Sequence, residues 1–458
     1  MNLTVNSQDL IVVGGGLAGC EAAWQAAQLG ISVKLYEMRP KRLTEAHLTG
    51  NLAELVCSNS LGSNLPDRAA GLLKNELRQL GSLLIACADA SSLPAGGALA
   101  VDRTVFSYCV EAKIKKHPNI TVIREEITQV PEQPAILATG PLTSPSLATA
   151  LQQITGLDHL FFYDAIAPIV NIDSVNMDVA YRANRYGKGS DNSGDYINCP
   201  FTEAQYQHFR EELLHAKRIP LKVFEKDIEN GVDAGLGKFF QGCQPIEVIA
   251  SRGEKSLAFG PMRPAGLPDP KTDRWPYAVV QLRQDNLAGD LYNLVGFQTN
   301  LRFEEQKRVF RLIPGLEKAT FERYGHMHRN MYIAGPTLLS NTLSLEAHPQ
   351  LFIAGQLAGV EGYAGNIASG LVAGINAAWK ILGLKGLVFP RTTMTGALLH
   401  YITQADLEDF QPMKAMFGLL PKIDTKKRLS KKLRYAAYVQ RALDNLKAFM
   451  DSESLSNC

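Results

Sequence analysis

Leu10-Ile11-Val12-Val13-Gly14-Gly15-Gly16-Leu17-Ala18-Gly19 is the stretch from which the fold is read. Its first four residues form a short apolar run, as a buried parallel strand does. Gly14, Gly16 and Gly19 then make a GxGxxG turn, with Gly15, Leu17 and Ala18 between them. Glu21 to Leu29 is Ala-rich and helical, and Gly30 stands where such a helix is capped. Ile31 to Tyr36 predicts a second strand, closed by Glu37, 18 residues beyond Gly19. The glycines permit a tight turn, backbone approach to a pyrophosphate and close helix–strand contact. The helix N-terminus faces the phosphates and the acid takes ribose hydroxyls. GxGxxG alone is a weak signal; strand, turn, helix, strand and acid in register point to a dinucleotide site.

FAD and NAD both satisfy that fingerprint, so a later feature has to choose. Leu351-Phe352-Ile353-Ala354-Gly355 is another strand running into a glycine turn, and six glycines fall between 355 and 374. A helix is expected from Asn366 to Ile381. A chain that returns in this way brings Gly355, Gln356 and Gly365 towards the far half of the cofactor, where a helix N-terminus would stabilise negative charge on a reduced flavin. Tight helix packing is the competing explanation for these glycines. Ala135 to Gly140 is a third strand–glycine junction. FAD is therefore the expected resident, and NADH or NADPH would visit, because no second GxGxxG occurs.

From about Ile169 to Arg311 this rhythm stops, and polar segments, aromatics and Pro/Gly turns alternate. The expected fold class is α/β: a two-part Rossmann-like FAD-binding domain with an α+β insertion domain. The first part would span 1–168, the insertion 169–311 on the substrate side, and the second part 312–458 with a basic C-terminal helix. A length of 458 residues suits two or three domains. With 46% hydrophobic and 20% charged residues, the chain is neither disordered nor collagen-like. No run of eighteen apolar residues and no hydrophobic signal core occur, which predicts a cytoplasmic protein without membrane attachment. Nothing in the sequence calls for an obligate protein partner.

A formal charge of +2 argues at first against a nucleic-acid binder, yet the charge is unevenly placed. Between Met413 and Lys447 there are ten basic residues and two acids, a charge of +8 that leaves −6 elsewhere. Leu429, Leu433, Ala436, Leu443, Leu446 and Met450 recur at helical spacing as one apolar stripe. The remaining faces are either solvated or an electrostatic footprint for a polyanion such as RNA. Seven cysteines, at 20, 57, 87, 109, 199, 243 and 458, form no CxxC and no metal-ligand spacing, so free thiols are expected and no metal.

Several segments resemble the folate- and FAD-dependent tRNA (uracil-5-)methyltransferases. Beside GGGLAG and YEMRP stand AELVCSNSL (Ala53–Leu61), GCQPIE (Gly242–Glu247) and FGPMRPAGL (Phe259–Leu267). PYAVVQLRQDN (Pro276–Asn286), VGFQTNLRFEEQKRVF (Val295–Phe310), HRN (His328–Asn330) and FQPMKAMFGLLP (Phe410–Pro421) extend the similarity over nearly the whole chain. The resemblance implies transfer of a one-carbon unit from 5,10-methylenetetrahydrofolate to C5 of the T-loop uridine at position 54 of tRNA, with reducing equivalents from NAD(P)H through FAD.

Uracil C5 is a poor nucleophile until a thiolate adds at C6, after which a second group must remove the C5 proton. By the family pattern Cys243 matches the nucleophile and Cys57 the general base. They lie 186 residues apart, so two domains must meet for both to act. Cys20, Cys87, Cys109 and Cys458 are expected as small hydrophobes, and Cys199 has no assigned chemistry. His328 or Tyr363 could stack on a pterin; the family often has His or Arg after VGFQT, where this chain has Asn300. Arg263 and Arg283 are candidate anchors for a folate glutamate or an RNA phosphate. The rivals are the same chemistry on ribosomal RNA, an FAD-dependent small-molecule oxidoreductase, and a non-catalytic flavin- and RNA-binding protein.

Overall fold

The computed structural model describes residues 9–44, 46–157, 160–187, 194–219, 244–325, 327–424 and 429–453. The opening run forms β1 (Leu10–Val13), followed by α1 (Leu17–Gln28) and β2 (Val33–Tyr36). β3 (Ile120–Ile123), β4 (Ala135–Leu137) and β5 (Leu351–Ile353) complete a five-stranded parallel sheet in the order β5-β4-β1-β2-β3. Its centre is β1, whose Leu10 and Val12 are wholly buried. β4 and β5 lie next to each other, so the chain ends its first part and resumes its second on the same edge.

After β5 comes α2 (Tyr363–Ile381), which begins three residues earlier than the sequence pattern suggests. α2 crosses α1 at backbone distance. A Cβ on Gly370 would lie 2.2 Å from the Ala18 carbonyl oxygen, and one on Gly374 would lie 2.5 Å from that of Ala22. These two late glycines thus serve helix packing, the competing explanation raised above.

Between the two parts lies a six-stranded antiparallel sheet, in the order Tyr181–Ala183, Tyr196–Phe201, Ala278–Gln284, Leu291–Leu294, Ile169–Asn171, Phe321–Arg323. Its last strand lies beyond residue 311. Its own core includes Val170, Ile197, Phe209, Val280, Phe297 and Phe310, separate from the core of the parallel sheet. The two chain crossings pair with each other, Leu160–Ala165 antiparallel to Met327–Tyr332.

The tail forms α3 (Lys431–Ser452), capped by the Ser430 hydroxyl, which accepts from the Leu433 N–H at 3.4 Å. It docks through Tyr438, Ala442 and Leu446, whereas Leu433 is 59% exposed and Ala436 is also exposed. The expected stripe is corrected here: its C-terminal half packs, and its N-terminal half does not. Aromatic contacts explain the rotation, because Tyr435 and Tyr438 pack on Phe417 at ring separations of 4.5 and 5.8 Å. Among the described residues no helix is long and apolar enough to cross a membrane.

Candidate functional site

The β1–α1 turn opens on a cleft with about 1060 Å³ of free space, counting its mouth. Gly14, Gly16, Leu17, Ala18 and Glu37 line it together with Gly355, Gln356, Tyr363 and Asn366 of the second part of the chain. Gly16 is the N-cap of α1 and offers no side-chain cap, so the first N–H groups of the helix are left for a ligand. A Cβ on Gly16 would meet nothing within 4 Å, the space a phosphate needs. Gly14, with φ +105°, lies against Ala138, and a Cβ on Gly19 would strike the Gly14 carbonyl oxygen. Gly15 and Gly19 therefore shape the turn without lining the cleft.

Glu37 sits at the end of β2, nearly buried. Its Oε2 accepts the Gly15 N–H at 2.9 Å, and its Oε1 accepts both the backbone N–H and the Nε–H of Arg39, at 2.9 and 3.0 Å. Burial alone would raise the carboxyl, but the Arg39 guanidinium and these N–H donors outweigh it and hold the group below the ordinary carboxylate value. Arg39, only 2% exposed, also donates to Glu54 at 3.0 Å. Sequence reasoning missed Arg39; the available signal was a cation two residues after the fingerprint acid, just before Pro40.

Gly355, packed against Ala18, has φ +75° and donates its N–H to the Ser369 hydroxyl at 2.8 Å. Gln356 donates to Glu361 at 3.0 Å. The Oδ1 of Asn366 is buried without a partner on the lining of this cleft, an acceptor awaiting a donor from a ligand. Gly365 does not line the cleft, and a Cβ there would run into Val360 at 2.7 Å. An uncapped helix end, open space at Gly16, the Glu37 carboxylate and the orphaned acceptor of Asn366 on one lining together fit a dinucleotide.

Cys57 lies half-buried in a loop beside this lining. The Tyr363 hydroxyl oxygen accepts the N–H groups of Cys57 and Ser58 at 2.9 and 3.1 Å, so the first residue of α2 fixes the cysteine loop. Burial pushes the Tyr363 phenol well above its ordinary value and keeps it protonated. Arg103 donates to the Leu55 carbonyl at 2.8 Å and pairs with Asp285 of the insertion domain at 3.1 Å. Arg283 donates its Nε–H to Asn59 at 2.9 Å, and burial lowers its pKa. Of the two candidate arginines, Arg283 is thus brought to the Cys57 loop. Arg263 lies on a separate hollow of the insertion domain.

Cys243 lies outside the described residues. The chain is described again from Gln244, and its next residues are clamped. The Ile246 N–H donates to the Gln298 carbonyl at 2.7 Å. Glu247, raised by burial, accepts the Thr299 hydroxyl at 2.9 Å and the Asn300 N–H at 2.8 Å. Asn300 is buried and donates its side-chain amide to the Ile219 carbonyl at 3.2 Å, a loop-tying role. His328 falls on the strand Met327–Tyr332, opposite Asp164, where only the backbone course is described. Cys20 and Cys87 are buried, as expected of small hydrophobes, and Cys199, which had no assigned chemistry, is buried too, while Cys109 is half-buried with its Sγ 2.9 Å from that of Cys87; Cys458 lies outside the described residues. Among the described residues no cluster of three metal-ligating side chains occurs.

The family model described as glucose inhibited division protein A matches residues 9–385. A solved structure of Aquifex aeolicus GidA superposes with a TM-score of 0.68 at 16% identity, covering 98% of this chain and 74% of that one, which speaks for the fold. Relatives named methylenetetrahydrofolate–tRNA-(uracil-5-)-methyltransferase TrmFO are far nearer in sequence. That of Natranaerobius thermophilus is 54% identical over 96% of this chain and 99% of its own length. That of Bacillus subtilis is 53% identical over 96% and 98%. With such agreement along both chains, this protein belongs to the TrmFO family of methylenetetrahydrofolate–tRNA-(uracil-5-)-methyltransferases.

Proposed function

We propose that the protein methylates C5 of the T-loop uridine at position 54 of tRNA, taking carbon from 5,10-methylenetetrahydrofolate and electrons from NADH or NADPH through bound FAD. The observation that carries this reading is identity above one half along almost the full length of relatives whose names give methylenetetrahydrofolate-dependent methylation of tRNA uracil at C5. The cleft supports FAD as the resident group. Glu37 would take the adenosine ribose, the α1 N-terminus at Gly16 the pyrophosphate, and Gly355, Gln356 and Asn366 the flavin half. FAD bound there supplies two-electron reduction.

The remaining work falls to side chains. Cys243 adds its thiolate to C6 of uracil, making C5 nucleophilic, and Cys57 removes the C5 proton once the new bond has formed. Tyr363 holds the Cys57 loop from below, while Arg103 and Arg283 grip it through Leu55 and Asn59. A base working at that position has to be placed to a fraction of an ångström, and these bonds restrict it. The clamp of Glu247 on Thr299 and Asn300 does the same for the segment that follows Cys243.

The test incubates the holoprotein with NADPH, labelled methylenetetrahydrofolate and an unmodified tRNA transcript, then digests the RNA. Label in 5-methyluridine at position 54 is expected; its absence with flavin reduced and folate intact would overturn the reading. Cys243→Ala should keep its yellow flavin and lose both methylation and any covalent RNA adduct.

A further inference from the structure

The insertion domain carries a second hollow, of about 870 Å³ with its mouth, that the chemistry above does not use. Phe259, Trp275 and Tyr277 provide its aromatic lining, and Lys255 and Arg263 its charge; no carboxylate is among its described lining residues. Phe259 is 76% exposed and Trp275 60%, large apolar areas to leave in water unless something covers them. The other two tryptophans, Trp24 and Trp379, are only half-exposed and pack on the main core.

The hollow is built on fixed backbone. The Phe259 N–H donates to the Lys255 carbonyl at 3.0 Å, and the Val279 N–H ties Met262 to the central strand of the sheet at 2.9 Å. Just before Trp275 in the chain Asp269 closes a turn, accepting the Lys271 N–H at 2.9 Å and donating its own N–H to the Arg274 carbonyl at 3.0 Å. Tyr277 is tilted against Tyr206 with ring centroids 5.1 Å apart. The Tyr277 ring, held in place before binding, loses little freedom on binding.

Flat aromatic faces flanked by cations that make no ion pair among the described residues match an unpaired nucleobase and its phosphates. An apolar peptide would leave both cations unused, and an acidic one would leave the ring faces unstacked. Along the chain the hollow stands one short helix, Ile246–Ser251, away from residue 243. We propose that this hollow binds an unpaired nucleotide of the RNA substrate, with its base stacked on Trp275 or Phe259 and its phosphates on Lys255 and Arg263. The proposal rests on the reading that the substrate is tRNA and adds a contact outside the reacting centre.

Tryptophan emission of the FAD-loaded protein is followed while an unmodified tRNA transcript is added. Saturable quenching is expected, and Trp275→Phe should abolish it. Trp275→Ala and Phe259→Ala should each weaken binding about tenfold with flavin content unchanged. The Lys255→Gln, Arg263→Gln pair should lower the salt dependence of binding by about two phosphate contacts. Quenching that survives in Trp275→Phe, or alanine variants that bind as tightly as the parent, would overturn the proposal. Should the parent methylate the transcript while those variants bind normally, the hollow fails and the tRNA reading stands. Should Trp275 report binding while no methyl label is transferred, the methyl-transfer reading fails and the hollow stands.

Discussion

A Cβ on Gly19 would sit 1.8 Å from the Gly14 carbonyl oxygen, whereas one on Gly16 would meet nothing within 4 Å. The two glycines of one motif thus answer to different demands, the first to the fold and the second to the ligand. Gly19→Ala is expected to prevent stable folding, since backbone is struck. Gly16→Ala should keep the apoprotein's melting temperature within a few degrees yet purify without flavin; thermal denaturation and the 450 nm absorbance check both. A yellow Gly16→Ala protein would place the pyrophosphate elsewhere. The motif's order already carries these separate demands, a turn, an approach to phosphate and close packing, and the geometry puts Gly16 to the second and Gly19 to the third. Glu37 was legible from its offset alone. Arg39, its partner two residues on, was passed over, because a cation beside an acid reads as a solvated pair until its burial is seen. Gly365, expected at the cofactor, lies off the lining of the cleft and against Val360: spacing shows that a helix needs small residues, not which neighbour they face.

At the scale of elements, Glu76 shows how a buried charge joins two helices. It lies within Ala69–Gln79 and accepts the N–H groups of Met394 and Thr395, at 2.6 and 2.8 Å, at the start of the helix Met394–Gln404. Burial pushes its pKa from 4.5 up to about 7. A folded value above the unfolded one means that the native state binds the proton more tightly. This contribution to stability is whole below about pH 4.5 and declines as pH rises through 7. Urea unfolding of the parent and of Glu76→Gln should show the parent's advantage shrinking from pH 5 to pH 8. An advantage that grows instead would make the carboxylate the stabilising form. The C-terminal helix gives a second contrast. Leu446→Ala should cost about 2–5 kcal/mol, since the side chain is fully buried, and Leu433→Ala less than about 0.5 kcal/mol. The helix and its charge were legible in the sequence. Its docking face was not, because Tyr435 and Tyr438 read as neutral residues until Phe417 is seen beside them.

Across the whole molecule, the two cores meet through polar contacts. Arg103 bonds Asp285 at 3.1 Å, Asn59 donates to the Gln284 carbonyl at 2.8 Å, and the Leu287 N–H donates to Asp102 at 2.7 Å. Arg103 and Asp285 are largely buried, at 15% and 6% side-chain exposure, so removing one partner strands the other. A double-mutant cycle on Arg103→Ala and Asp285→Ala should give a coupling of about 1–3 kcal/mol in thermal unfolding, and additive losses would show that the domains do not communicate through this pair. That the parallel sheet would be interrupted was legible from where the Rossmann rhythm stopped. Its reach to Phe321–Arg323 was not, since a three-residue edge strand carries too little pattern to be seen.

The chain enters and leaves the antiparallel sheet by strands that are bonded side by side, Leu160–Ala165 against Met327–Tyr332. Adjacent ends need only a short turn to be rejoined, and closing one carries little entropic cost. The fold is therefore modular in the manner of a cassette. The antiparallel sheet can be exchanged at this one paired seam while the parallel sheet keeps every strand of its own, but residue 243 and Asp285 travel with it, so an incoming sheet has to bring its own match for the Cys57 loop.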